Sequence, residues 1–190
     1  MSTRVVKWKP PFKILKNKGD DEIKLIYHMS DIHIRCGRVR YSEYSFTFDD
    51  LYQFIWIDSL NLRNNSLIVI TGDVVESKLD VDNDLIIYLV RFLKMLLSML
   101  PVIVIPGNHD VDVFNRSAAN VLDVFRECTV QNNFFYLKKS GIYQFQNIFF
   151  SVTSIIDNDL SFVTSDFLSH KIIRNAKQQF NNVFNIALFH

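Results

Sequence analysis

Three short apolar runs, at 23–29, 66–71 and 101–105, mark the first half of the chain. Each is mainly apolar, and the run at 66–71 is β-branched and continuously apolar, as a strand covered on both faces is. Between them, apolar residues recur near helical spacing at 46–62 and 85–100, and Asp84 is placed to cap the second helix. Strand, helix, strand, helix, strand in this order predicts a right-handed, largely parallel α/β sheet.

The pattern changes after residue 120. A helix is predicted at 118–128, and antiparallel strands are predicted at 134–137 and 142–155 around a turn at Ser140 and Gly141. A polar-faced helix at 164–179 and a strand at 183–189 follow. We therefore expect one domain of the α/β class over residues 23–190.

Composition and charge narrow the class of protein. Hydrophobic residues make up 48% of the 190 residues, which excludes a disordered chain, and the net charge of +1 excludes a strongly basic surface over the whole protein. Residues 1–22 are basic, with no acid before Asp20, and predict a solvated N-terminal tail; a phosphate-contacting arm is the alternative. This segment lacks the apolar core of a signal peptide, so we expect an intracellular protein of the cytoplasm or nucleus that is not secreted.

Two further features exclude other classes. The most apolar stretch, 85–105, carries Arg91 and Lys94 and is broken by Pro101, so no membrane span is expected. The two cysteines, Cys36 and Cys128, match no zinc-binding spacing and predict thiols in a reducing compartment.

Polar residues that bind metals follow each of the three apolar runs. They form three motifs: Asp31-Ile-His33, Gly72-Asp73-Val-Val-Glu76 and Gly107-Asn108-His109-Asp110. Because ligands bind at the carboxyl ends of strands in open α/β sheets, we expect these side chains to converge. Carboxylate, imidazole and amide groups together suit a pair of divalent metal ions.

Each motif alone has an ordinary explanation. An Asp-x-His pair occurs by chance, Asp73 could cap the helix that follows it, and the third motif could be a polar surface turn. The argument for a metal site therefore depends on all three motifs occurring in this order at successive strand ends. His28, which lies inside the first predicted strand, and His170 are not expected to be ligands.

The three motifs resemble the first three signature blocks of the calcineurin-like metallophosphoesterase superfamily, and the segment Ala187-Leu188-Phe189-His190 resembles the fourth. The resemblance implies a metallophosphoesterase-type β-sandwich flanked by helices. It also implies that two divalent ions, expected to be Mn²⁺, activate a hydroxide for phosphoester hydrolysis. By position, the implied metal ligands are Asp31, His33, Asp73, Asn108 and His190, with Asp73 shared between the ions.

The resemblance also implies two catalytic residues. His109 would protonate the leaving oxygen or hold phosphate charge, and the side chain of Glu76 would orient His109. No separate role is implied for Asp110.

Within the superfamily, the segment 35–44 and the spacing to Gly72 look most like the SbcD-type nucleases of DNA double-strand-break repair. This likeness implies a DNA exonuclease or endonuclease in repair or recombination. Arg35, Arg38 and Arg40 would then lie where a phosphate backbone approaches, with a solvated loop as the alternative. An ATPase partner subunit and a homodimer are implied only for a full-length relative.

Relatives carry a fifth block, Gly-x-His-x or Gly-His-x-His, which completes both coordination spheres. The sequence stops at His190, so the resemblance implies a C-terminally truncated fold with weakened metal binding. A phosphatase or nucleotide phosphoesterase of the same superfamily, or an inactive truncated copy, are the alternative functions.

Overall fold

The computed structural model describes residues 10–16, 21–35, 41–112, 114–129, 132–157 and 170–190. Within these residues, eight strands form two four-stranded sheets. The same part of the chain contains four helices and a short 3₁₀ turn at Arg63–Asn65. The strands are β1 Phe12–Ile14, β2 Leu25–Met29, β3 Ser66–Thr71, β4 Val102–Ile105, β5 Phe134–Tyr136, β6 Gly141–Phe145, β7 Ile148–Val152 and β8 Phe184–Leu188, and the helices are α1 Tyr41–Asp58, α2 Asn83–Met99, α3 Val121–Cys128 and α4 His170–Gln179.

The first sheet has the order β2-β3-β4-β5, and all of its strands are parallel. Every residue of β3 and β4 is buried, because helices cover one face of the sheet and the second sheet covers the other. This explains their continuous apolar character. The parallel arrangement places the carboxyl ends of β2, β3 and β4 side by side.

The second sheet has the order β1-β6-β7-β8. Its inner face packs on the first sheet through large apolar residues such as Phe145, Phe150 and Leu188, which join Leu67 and Ile103 in one core. Two packed sheets flanked by helices confirm the predicted metallophosphoesterase-type α/β sandwich.

Part of the expected N-terminal tail is not a tail. Residues Phe12–Ile14 form β1 and pair in parallel with β6, and the Pro11 carbonyl accepts a hydrogen bond from Ile142 N–H at 2.8 Å. Lys13 lies between Phe12 and Ile14, a short alternation typical of a strand, but the prediction of a tail rested on the positive charge of the whole segment. Residues 1–9 and 17–20 lie outside the described part of the chain.

Helix and turn positions also differ from the prediction in detail. The N-cap of α2 is Asp82, whose side chain accepts the Leu85 N–H at 2.7 Å, rather than Asp84. The antiparallel hairpin is formed by β6 and β7 and turns at Gln146 and Asn147, not at Ser140 and Gly141. Strand β5 was predicted to be antiparallel to the strand that follows it. It instead pairs in parallel with β4 and extends the first sheet.

None of the helices in the described part of the chain combines the length and apolar character that a membrane crossing requires.

Asn147 connects the two sheets. It is fully buried in the β6–β7 turn, and its side-chain amide bonds both the N–H and the carbonyl of Ile23, at 2.7 and 3.2 Å. Its backbone carbonyl accepts the N–H of Phe184 at the start of β8. A single side chain therefore satisfies the backbone groups that precede β2 in the first sheet.

We predict that Asn147→Ala lowers the free energy of unfolding by about 2–4 kcal/mol, because both backbone groups of Ile23 lose their buried partner. Urea denaturation followed by circular dichroism measures the change. Asn185→Ala, at an exposed position of β8, is the matched control and should change stability by about 0.5 kcal/mol or less. Equal effects of the two substitutions would show that Asn147 does not connect the sheets.

Candidate metal centre

The first two motifs lie on strand-end loops that pair with each other. Beyond β2 and β3, Asp31 N–H donates to the Gly72 carbonyl at 3.2 Å, and His33 N–H donates to the Asp73 carbonyl at 3.0 Å. Asp31, His33 and Asp73 all have left-handed backbone conformations, with φ of 54°, 52° and 50°. Such conformations are costly for residues with side chains and concentrate at functional sites. The side chains of these three residues meet, with His33 Nε2 3.6 Å from Asp31 Oδ1 and 3.9 Å from Asp73 Oδ2.

Two glycines allow the loops to approach closely. Gly72 has a φ of +88°, and a Cβ there would lie 2.7 Å from both Gly107 Cα and the His190 ring. A Cβ on Gly107 would lie 2.2 Å from the backbone nitrogen and Oδ1 of Asp73. Any side chain at either position would therefore displace Asp73 or His190.

Asp110 holds the second and third motifs together. It is 1% exposed, and its Oδ1 accepts the N–H groups of Val74 and Val75 at 2.9 and 3.0 Å, while Oδ2 accepts Gly107 N–H at 2.9 Å. Burial raises the pKa of Asp110 to about 6, against the opposing effect of these three hydrogen bonds. Asp110, for which the sequence implied no role, therefore joins the two loops through backbone hydrogen bonds.

Asp73 lies at the centre of the site and is 3% exposed. Its Oδ1 accepts the His109 N–H at 2.8 Å, which leaves Oδ2 facing outward. That oxygen lies 3.1 Å from His190 Nε2, 3.9 Å from His33 Nε2 and 4.0 Å from His109 Nε2. One carboxylate oxygen is thus approached by three imidazoles from three different chain segments.

Asp31 and Asn108 complete two groups around Asp73. Asp31 Oδ1 lies 3.6 Å from His33 Nε2, and Asn108 Oδ1 lies 3.1 Å from His190 Nε2. The hydrogen bond from Ser30 Oγ at 2.5 Å lowers the pKa of the Asp31 carboxyl, and the nearby imidazoles of His190 and His33 contribute. Asp31 is therefore held in its anionic form.

The orientation of the imidazoles favours a cation. His190 Nδ1 contacts the Thr71 carbonyl at 2.8 Å and His109 Nδ1 contacts the Glu76 carbonyl, so in both rings Nδ1 carries the proton. Nδ1 of His33 lies 2.9 Å from Glu76 Oε2, without the alignment of a hydrogen bond. When His190 and His109 are neutral, Nε2 of each ring carries a lone pair that faces an oxygen atom. Two lone pairs repel each other, so this arrangement favours either a second proton on the ring or a cation between the two atoms.

The spacing of these atoms suits metal coordination. Ligand atoms at about 2.0–2.2 Å from an ion lie about 3–3.6 Å from one another at octahedral or tetrahedral angles. The four separations that join Asp31 to His33, His33 to Asp73, Asp73 to His190 and His190 to Asn108 are 3.1–3.9 Å, in or just above this range. Asp31, Asp73 and His190 each offer an atom within 4.8 Å of the others, and so do His33, Glu76 and His109.

The structure brings together all five predicted ligands, but it corrects the expectation for Glu76. The backbone carbonyl of Glu76, not its side chain, holds His109. Its carboxylate instead faces His33 and lies 3.3 Å from Arg35 Nε. Tyr44 Oη supports this loop from α1, since it accepts the Arg35 N–H at 2.9 Å and contacts the His33 carbonyl at 3.3 Å.

Several predicted residues do not take part or cannot be placed. Arg38, Arg40 and Cys36 lie outside the described residues, and Cys128 is an exposed free thiol. His28 contacts Thr71 Oγ1 at 2.8 Å from the neighbouring strand.

Sequence reasoning missed the supporting roles of Ser30, Thr71 and Asp110. Ser30 and Thr71 directly precede motif residues, but nothing in their type alone distinguishes them from ordinary strand-end residues. Asp110 gave the one available signal, because it is the last residue of the third motif and the resemblance implied no other role for it.

The comparison with protein families agrees with this geometry. A family model described as calcineurin-like phosphoesterase matches residues 24–188. The chain belongs to the calcineurin-like phosphoesterase family. Phosphoesterases of this family use divalent metal ions, and the side chains gathered around Asp73 are the candidate ligands for them.

The phosphoesterase chain is also similar to a viral protein. It is 42% identical over 177 residues to an uncharacterized protein, R555, of Acanthamoeba polyphaga mimivirus. The match covers 93% of this chain and 13% of the viral protein. The chain thus spans a small part of the length of this relative.

We predict that Asp110→Asn destabilises the phosphoesterase in the presence of EDTA by about 1–3 kcal/mol, because an amide has one acceptor oxygen and its NH₂ group would face a backbone N–H donor. Urea denaturation measures the change. Asp50→Asn, at an exposed position on α1, removes the same charge and should leave stability nearly unchanged. If Asp110→Asn were as stable as the wild type, the carboxylate would not fasten the two loops.

Proposed function

We propose that this chain hydrolyses phosphodiester bonds in DNA, as the metal-binding nuclease domain of a repair or recombination system that uses two divalent ions. The observation that carries the proposal is the approach of His33 and His190 to Asp73 Oδ2, at 3.9 and 3.1 Å, with Asp31 beside His33 and Asn108 beside His190. A carboxylate shared in this way suits a two-metal centre for phosphoryl chemistry.

Each ion would have three of these protein ligands. Asp31, His33 and Asp73 would hold the first, and Asp73, Asn108 and His190 would hold the second. The carboxylates and the Asn108 oxygen are hard ligands and the imidazoles are borderline, a mixture that suits Mn²⁺ better than a soft ion. When bound, such ions lower the pKa of coordinated water and neutralise charge on a phosphate.

His109 is the candidate general acid. Its ring is 40% exposed and perpendicular to that of His33, with the ring centroids 4.9 Å apart. The hydrogen bond to the Glu76 carbonyl raises the pKa of His109, with smaller contributions from the carboxylates of Asp73, Glu76 and Asp110. The protonated ring would present Nε2–H toward the leaving oxygen of a substrate held over Asp73.

DNA as the substrate is supported by the SbcD-type likeness of residues 35–44 and by the cationic Arg35 beside the metal ligand His33. For a longer protein that contains this domain, we extend the proposal to an ATPase partner subunit, a homodimer and an intracellular location.

A phosphatase or nucleotide phosphoesterase is the second candidate. One observation favours it: Glu76 Oε2 lies 3.3 Å from Arg35 Nε and partly neutralises the positive charge that a DNA backbone would meet. The cleavage experiment below includes a small phosphoester for this reason.

We predict that calorimetric titration with Mn²⁺ shows two bound ions per chain. Asp73→Ala should abolish binding of both, because both ligand groups share this carboxylate. Asn108→Ala should weaken only the second, by about 10-fold or more. One ion in the wild-type protein, or equal losses for the two variants, would contradict the shared site.

We predict that His109→Ala reduces Mn²⁺-dependent cleavage of linear DNA by about 10²–10⁴-fold while still binding two ions, because its ring supplies a proton rather than a ligand. Cleavage is followed on denaturing gels, with p-nitrophenyl phosphate hydrolysis measured in parallel. Turnover of the small ester with DNA left intact would favour the second candidate. Failure to hydrolyse either substrate with any divalent metal would overturn the proposed function.

A further inference from the structure

A cationic cleft opens along β5, the edge strand of the first sheet. Its volume is about 820 Å³, and its wall contains five cationic side chains and two carboxylates. The cations come from four separate segments: Lys13, Arg116, Arg126, Lys138 and Lys139. We propose that this cleft binds the phosphate backbone of a nucleic acid strand whose scissile bond lies at the metal centre. The proposal deepens the nuclease function above and rests on it.

The position of the cleft follows from sheet topology. β5 lies beside β4 in parallel, with Tyr136 opposite Val104, and Leu137 N–H donates to the Val104 carbonyl at 2.8 Å. Lys138 and Lys139 therefore leave the sheet at the same edge as the third motif. Since neighbouring strands are about 4.8 Å apart, a strand of nucleic acid passing over the ends of β3 and β4 would reach the end of β5 next.

Tyr143 brings together two lysines that are distant in sequence. Lys13 in β1 is the pairing partner of Tyr143 in β6, and Tyr143 Oη donates to the Lys139 carbonyl at 2.7 Å. Both Lys13 and Lys139 are exposed. Both residues line the cleft and are open to solvent, so they can contact phosphates without a large cost of burial.

The other cations shape the cleft wall. Asp123 is nearly buried and contacts both Lys138, at 2.5 Å, and Arg126, at 3.3 Å, so one carboxylate partly neutralises two cations. Arg116 donates to the Asp157 carbonyl at 2.8 Å, which fixes the loop that follows the third motif against the far wall. These contacts keep excess positive charge in place in the absence of a ligand.

The charge is local, which favours a specific surface over general attraction. The whole chain has a net charge of +1, so binding to a polyanion needs a concentrated patch of this kind. The cleft is a groove lined from several segments rather than a flat patch of lysines. Phosphate contacts of this type position a nucleic acid without reading its sequence.

The test measures binding of a fluorescent single-stranded DNA oligonucleotide to the metal-free protein in EDTA, by anisotropy at several salt concentrations. Lys13→Ala combined with Lys139→Ala should weaken binding about 10-fold and reduce the magnitude of the salt slope by about 1.4, since each phosphate contact on a single strand contributes about 0.7. Lys94→Ala combined with Lys177→Ala is the control, because it removes two exposed lysines from α2 and α4 and leaves the cleft intact. This pair should bind like the wild type.

Two results would overturn the proposal that this cleft binds nucleic acid. Equal loss of affinity in both double variants would show general attraction, and equally effective competition by a poly-glutamate peptide would show that the cleft does not distinguish phosphates from carboxylates. Cleavage kinetics separate this outcome from failure of the nuclease function. With Mn²⁺, the cleft variant should raise KM for DNA about 10-fold and leave p-nitrophenyl phosphate hydrolysis unchanged. DNA cleavage with an unchanged KM would overturn the cleft alone, whereas ester hydrolysis without DNA cleavage would overturn the DNA substrate.

Discussion

The parallel register of β2, β3 and β4 is the constraint on which the rest of the structure depends. Because the three strands run in one direction, the segments that leave them emerge at one edge of the sheet, and their polar residues meet there. Asp73, on the middle strand's loop, is the natural meeting point and is the residue whose carboxylate faces both ligand groups. A buried core of apolar strands thus determines where the polar chemistry occurs.

The order of the strands does not by itself bring the side-chain atoms of the three motifs within coordination distance of one another. That closeness depends on the loops, which pair through backbone hydrogen bonds and are fastened by Asp110. Gly72 and Gly107 remove the side chains that would hold them apart. The ligands are therefore held by the backbone of their neighbours as well as by their own strands.

The sequence allowed prediction of the elements whose cause is local. β3 was predicted with its observed bounds because a continuously apolar, β-branched run has few other structures available to it. The convergence of the three motifs was predicted because each motif follows such a run at the end of a parallel strand. β1 and the pairing of β5 were not predicted, because a strand's partner is decided by tertiary packing, which hydrophobic periodicity does not encode. The contact of Glu76 with His33 depends on a loop conformation that spacing cannot specify.

Three of the candidate ligands, Asp31, His33 and Asp73, have left-handed backbone conformations, which glycine or asparagine adopts more readily. A substitution at position 31, 33 or 73 could therefore make the loops easier to fold while removing a donor atom. At these positions, a substitution that raises stability is therefore expected to weaken metal binding. Variants selected only for stability are expected to lose these side chains and the activity that depends on them. Selection for turnover is expected to keep them.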